Sequence, residues 1–223
     1  GISANNQFHQ RIRGFQWFCY QQVLDDKDHV RKANIPRLMM KWRIYQSLKS
    51  FIDTDENPLP SDHPVFSLVQ RIYDSASRLE QHVEKQLKKQ SMLYWVSEQV
   101  SKLFSNYMQY RGECQRNCAG LCSCPSNWLS QWGANHALDI EQLFPHSKDQ
   151  DLSFKFTQAQ DLEQWQRWLW QHTFHDDFVE MQSIDHEFWK VMDDEASRVK
   201  ALNNLPDQVI VFTLLDLAPS QLQ

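Results

Sequence analysis

Only five glycines occur in 223 residues. That scarcity disfavours turn-dense β architectures and sites built on glycine-rich phosphate loops. No nucleophile elbow, P-loop or dinucleotide glycine pattern is present either. Long apolar runs are missing too. The longest, Val209–Leu215, is far below the ~20 residues a membrane-spanning helix needs, so no segment is expected to cross a bilayer. The start, Gly1-Ile2-Ser3-Ala4, has neither an initiator methionine nor a signal-peptide pattern. It reads as a processed or excised chain, and a fragment cut from between membrane helices would look the same.

Aromatic side chains, by contrast, are plentiful. Nine Trp, thirteen Phe and six Tyr supply a core of large, rigid rings. With 41% hydrophobic and 23% charged residues the chain is an ordinary globular one, not a disordered one. A mass of 26.6 kDa allows one large helical domain or two small ones. The net charge of −5 excludes a uniformly basic nucleic-acid binder. The charge is uneven, however. Seven Lys and Arg against one acid lie between Lys27 and Ser50, and ten acids against three bases lie between Gln160 and Arg198. The basic stretch could steer an anionic partner; two solvated helix faces that attract each other are the plainer explanation.

Apolar spacing places helices at 6–24 and 36–52, the second with a buried stripe of Leu38, Trp42, Tyr45, Leu48 and Ile52. After a polar, proline-bearing break at 53–60, a long helix is expected from Pro64 to Tyr110. Its stripe runs through Val65, Val69, Ile72, Ala76, Leu79 and Val83, then Leu93, Val100, Phe104 and Tyr107. A kink near residue 90 fits the polar stretch there, and Tyr94 and Trp95 fall off the stripe. Short helices are expected around 126–132 and 136–144. Leu152–Thr157 alternates strictly, as a strand does, and Val209–Leu215 reads as a buried strand. Helices at 158–172 and 174–203 lie between them. The expected fold is therefore mainly α: a multi-helix bundle built on one long helix, with a small two-stranded β element near the C-terminus. Residues 1–150 would form a helical bundle with a cysteine-rich loop at 112–125. Residues 151–223 would form a helical pair with flanking strands, packed with the rest as one domain.

Four of the five cysteines, Cys114, Cys118, Cys122 and Cys124, fall within eleven residues. Zinc takes four soft ligands in a tetrahedron, usually as C-x₂₋₄-C pairs, and two of the three gaps here suit it. Zinc is the first reading. Two disulfides stand close behind and would imply an oxidising compartment, with Cys19 left over. An iron–sulfur cluster is disfavoured, because no βα repeat surrounds the cysteines. The zinc reading goes with the cytoplasm, the disulfide reading with a periplasmic or other extracytoplasmic setting.

His172, His175 and Asp176, with Glu180 and His186 further on, form the one concentration of His and carboxylates. On a helix the first three could share a metal, although a polar surface explains them more simply. Arg167-x₄-His172 resembles the Arg/His pair of helical ribonucleases of the HEPN type. The resemblance covers two residues, lacks a polar residue after the Arg, and implies a pair that polarises a scissile phosphate across a dimer. No family is recognised from the chain as a whole.

Within 31–49, Arg31, Lys32, Lys41 and Lys49 are candidates to meet an anionic partner, such as nucleic acid. Trp42 and Tyr45, on the apolar stripe, are expected to face the core. The leading expectation is a non-enzymatic helical interaction or scaffold module of a larger assembly, with protein partners and a cysteine-stapled loop. An extracytoplasmic sensor or secretion domain held by disulfides comes second, and the HEPN-like ribonuclease third.

Overall fold

A computed structural model describes residues 12–110, 128–140 and 152–206. Eight helices run through them: α1 Ile12–Val23, α2 Lys27–Ala33, α3 Arg37–Lys49, α4 Phe66–Ala76, α5 His82–Tyr110, α6 Trp128–Gly133, α7 Leu152–Asp193 and α8 Glu195–Leu202. The mainly helical expectation holds.

The two-stranded element does not. Among the described residues there is no strand, and Leu152–Thr157 opens α7. A helix pairs its backbone groups internally and needs no second strand to do so. The other expected strand, Val209–Leu215, lies outside the described residues, as do all four clustered cysteines. The pair of helices expected at 158–172 and 174–203 is instead one helix of 42 residues followed by a short one. No break falls at Thr173, whose hydroxyl bonds back to the Leu169 carbonyl. The break comes at Asp194, whose side chain accepts from the Ser197 N–H at 2.8 Å and caps α8.

The long helix expected from Pro64 to Tyr110 is also two helices. Turns at Ser77 and Leu79, whose N–H groups reach the carbonyls of Asp74 and Ala76, end α4. Helix α5 then starts at His82, passes residue 90 without interruption and packs against α4. The apolar register continues across the break, so the periodicity alone could not reveal it.

The chain divides into two compact units, Gly1–Ile35 with Asp176–Gln223, and Pro36–His175. In the first, Trp17, Tyr20, Leu24, Val30, Ala33, Ile184 and Phe188 form a buried cluster. Tyr20 receives a hydrogen bond from Gln16 Nε2 at 2.7 Å and donates one to Asp185 Oδ1. Burial, more than any charge, pushes the Asp185 carboxyl above the usual range. In the second unit, Met40, Ile44 and Leu48 of α3 are buried with Val69 and Ile72 of α4 and Leu93 of α5. Further along α5, Phe104 meets Trp132, Trp170 and Phe174 with ring centroids 5.4–6.4 Å apart. Many of the described aromatic side chains thus go into the core.

Candidate docking surface

Helix α3 follows Pro36, whose extended backbone sets the entry and whose carbonyl accepts from the N–H groups of Met39 and Met40. Four-residue steps take Met40, Ile44 and Leu48 inward. Across from them, α5 presents the small residues Ser97 and Ser101, both fully buried. Their hydroxyls bond to the carbonyls of Leu93 at 2.8 Å and Glu98 at 2.9 Å, so α3 and α5 pack together without stranding a polar group.

This seating turns the other side of both helices to solvent. On α3, Leu38 is 64% exposed, Trp42 43%, and Met39 half exposed. On α5, Leu87 is 62% exposed and Trp95 55%, with Tyr94 close to them in exposure. The rings are linked: Trp42 meets Tyr45 edge-on at 5.6 Å and Tyr94 edge-on at 6.1 Å. Exposed rings held in contact in this way mark an interaction site more often than scattered side chains do.

Charge is concentrated at the same place. Lys41 is only 5% exposed; its Nζ lies 3.0 Å from Glu98 Oε2 and 3.5 Å from the centre of the Tyr94 ring. Lys102 Nζ is 3.4 Å and Arg37 Nη2 3.9 Å from Glu98 Oε1. Three cations therefore share one carboxylate. Tyr94 first, and Glu98 after it, hold the Lys41 ammonium above the ordinary lysine range. Lys41 in turn is the main reason Glu98 sits below the ordinary glutamate range.

The expectation that Trp42 and Tyr45 face the core is corrected here. Trp42 is exposed and Tyr45 half-buried, because Lys41, one residue from Trp42, takes the inward place beside Glu98. Of the four cations proposed for an anionic partner, Arg31 and Lys32 are exposed on α2, and Arg31 pairs with Asp28 at 3.0 Å. Lys49 is exposed at the end of α3, seven residues after Trp42 and on the same outward stripe. Leu38, also expected on the buried stripe, is exposed instead, and sequence reasoning gave no place on this surface to Met39, Leu87, Glu98 and Lys102. A signal for Leu87, Tyr94 and Trp95 was present: they are large apolar side chains out of step with the α5 core stripe.

Arg167 and His172 are not brought together. Arg167 Nε donates to Glu163 Oε1 at 3.1 Å, and its Nη1 donates to Asn135 Oδ1 at 3.0 Å. His172 stacks on Trp168 with centroids 4.6 Å apart. Five residues along a helix is about 140° of rotation, so the two side chains leave on different sides. Glu180 pairs with His29 at 2.6 Å. Among the described residues, no three His, Cys, Asp or Glu side chains could hold a metal, which sets aside the grouping around His172, His175 and Asp176.

A polar hollow of about 440 Å³ lies between α4, α5 and residues 55–57, lined in part by Asp55, Tyr73, Asp74, His82, Lys85 and Lys89. Its most buried cation, Lys89, is already bound to the Thr54 carbonyl at 2.6 Å and lies over the Tyr73 ring. Among the described residues, no helix is long and apolar enough to cross a membrane.

A family model described as RecC, N-terminal domain matches residues 1–223. No curated protein and no solved structure matches the chain. The family match overturns the scaffold module organised by a cysteine staple, and with it the sensor and ribonuclease readings. Engagement of partners is compatible with it.

Proposed function

Because the chain belongs to the RecC N-terminal domain family, we propose that it serves as one domain of a subunit in a RecBCD-type DNA-repair assembly. Its work there is to dock partners and to help hold DNA. Residence in the cytoplasm goes with this reading. The observation that carries the docking role is the exposed α3–α5 face, where linked rings and aliphatic side chains sit beside three cations and one acid. A domain that met nothing would leave such a face as an aggregation hazard.

The nucleic-acid contact falls to the exposed cations of residues 31–49: Arg31 and Lys32 on α2, and Lys49 on α3. The Arg31–Asp28 pair is a surface ion pair of small net worth, so exchanging it for a phosphate costs little. Lys41 supports this contact only indirectly, since Glu98 and Tyr94 already hold its ammonium.

The test uses the assembled complex and a fluorescein-labelled duplex with a single-stranded tail. The α2 pair, R31E with K32E, and the α3 variant K49E are measured separately, because these helices belong to different units. Each lost phosphate contact should lower the slope of log K against log salt by about one, with no change in sequence preference. An unchanged slope in both variants overturns the contact. Zinc at Cys114, Cys118, Cys122 and Cys124 stays a separate proposal, checked by metal analysis of the unreduced protein.

A further inference from the structure

The docking role leaves the occupant of the α3–α5 face unnamed. Resting on that role, and from the chemistry of the face, we infer that it receives a protein surface of another subunit: an apolar helix edge with leucine or phenylalanine anchors, flanked by carboxylates.

Aliphatic side chains decide first between protein and nucleic acid. Leu38, Met39 and Leu87 are half or more exposed, and none offers a π face for a base. The rings themselves are partly committed. Lys41 covers one face of Tyr94 at 3.5 Å, and Trp42 makes T-shaped contacts with both Tyr45 and Tyr94. A base needs an open ring face, and among the described rings of this surface Trp95 alone lacks a ring or cation contact of this kind. An apolar helix edge needs none, because it gains from each exposed apolar side chain it removes from water.

Charge gives the sign of the rim. Arg37, Lys41 and Lys102 converge on Glu98, so the surface carries unneutralised positive charge beside its apolar centre. Carboxylates on the incoming helix complete that balance. A second copy of this same face would set cations against cations, which disfavours self-pairing. Trp and Tyr at the centre are also among the residue types that carry most binding energy at protein interfaces.

The experiment oxidises surface side chains with hydroxyl radicals in the free subunit and in the full assembly, without DNA. Oxidation of Trp42, Tyr94 and Trp95 should fall at least fivefold on assembly. Trp95→Ala and Leu38→Ala, which alter exposed side chains, should each weaken subunit association about tenfold with circular dichroism and Tm unchanged. Lys102→Glu should slow association and flatten its salt dependence.

Unchanged oxidation on assembly overturns the inference but leaves the family-level docking role standing. A subunit that neither assembles nor touches DNA overturns both. Protection by a dT20 oligonucleotide alone, lost in Trp95→Ala, would make nucleic acid the occupant and overturn the protein assignment. Protection that grows with concentration of the free subunit would make it a second copy, and overturns it too.

Discussion

Glu163 collects three donors at one carboxylate. Trp132 Nε1 reaches its Oε1 at 2.9 Å, the Leu138 N–H at 3.2 Å and Arg167 Nε at 3.1 Å, all at a side chain 8% exposed. The site ties α6 and residue 138 to α7, and it accounts for Arg167 as a partner of Glu163 and not as a phosphate ligand. Truncating one member of a buried charged network leaves the others unpaired, at about 3–5 kcal/mol. Glu163→Ala should therefore lower Tm by several degrees or more in a thermal melt. Glu163→Gln keeps an acceptor for Trp132 and Leu138, and should cost well under half as much. Equal losses in the two variants would show that the negative charge of Glu163, paired with Arg167, carries the whole effect. None of this was legible in the sequence, where Glu163 is one of ten acids in its stretch and nothing marks it as the inward one.

Helices α3 and α5 show how one inward cation reshapes a helix pair. Spacing along α3 points to a stripe from Leu38 through Trp42, but its buried line is Met40, Ile44 and Leu48, with Lys41 beside them. Leu48 and Ile52 belong to both lines, which is why the three- and four-residue spacing looks consistent. On α5 spacing and structure agree from residue 93 on, where Leu93, Val100 and Phe104 are buried and Tyr94 and Trp95 exposed, but Val83, expected on the stripe, is 66% exposed. The Lys41–Glu98 contact also sets a pH dependence. Glu98 lies below its ordinary value in the fold, so its contribution is fully present above the unfolded glutamate pKa of about 4.3. It is lost as pH falls through the lowered folded value. Lys41 lies above its ordinary value, so its share is present below the unfolded lysine pKa of about 10.4 and lost as pH rises through the raised one. Urea midpoints should accordingly fall at the acid end in the native protein and show less acid dependence in Glu98→Gln. An identical acid limb in both proteins would remove Glu98 from this account.

At the scale of the whole molecule, the two units carry separate cores, one around Trp17, Tyr20 and Ile184, the other around Ile44, Leu93 and Phe104. Asp185 tests that separation. Burial holds its carboxyl above the ordinary range despite the Tyr20 hydroxyl, so ionising it works against folding. The penalty is absent below the unfolded aspartate pKa of about 3.9 and complete once pH has risen past the raised folded value. Asp185→Asn keeps an acceptor for Tyr20 and removes the penalty. It should raise stability at pH 7 and give no gain at pH 3. Hydrogen exchange should slow at amides near Val30 and Ile184, while those near Leu93 and Phe104 keep their native rates. Slowing in both sets would mean that the two cores open together.

Helical class, the aromatic core and the off-stripe placement of Tyr94 and Trp95 followed from the sequence alone, because side-chain spacing along a helix is a local property. Where α4 ends, that Leu152–Thr157 is helical, and which side of α3 faces water were decided by tertiary structure. Each of these turned on contacts between elements or on the helix as a whole: α4 packing against α5, the 42-residue helix that takes in 152–157, and Glu98 drawing Lys41 inward.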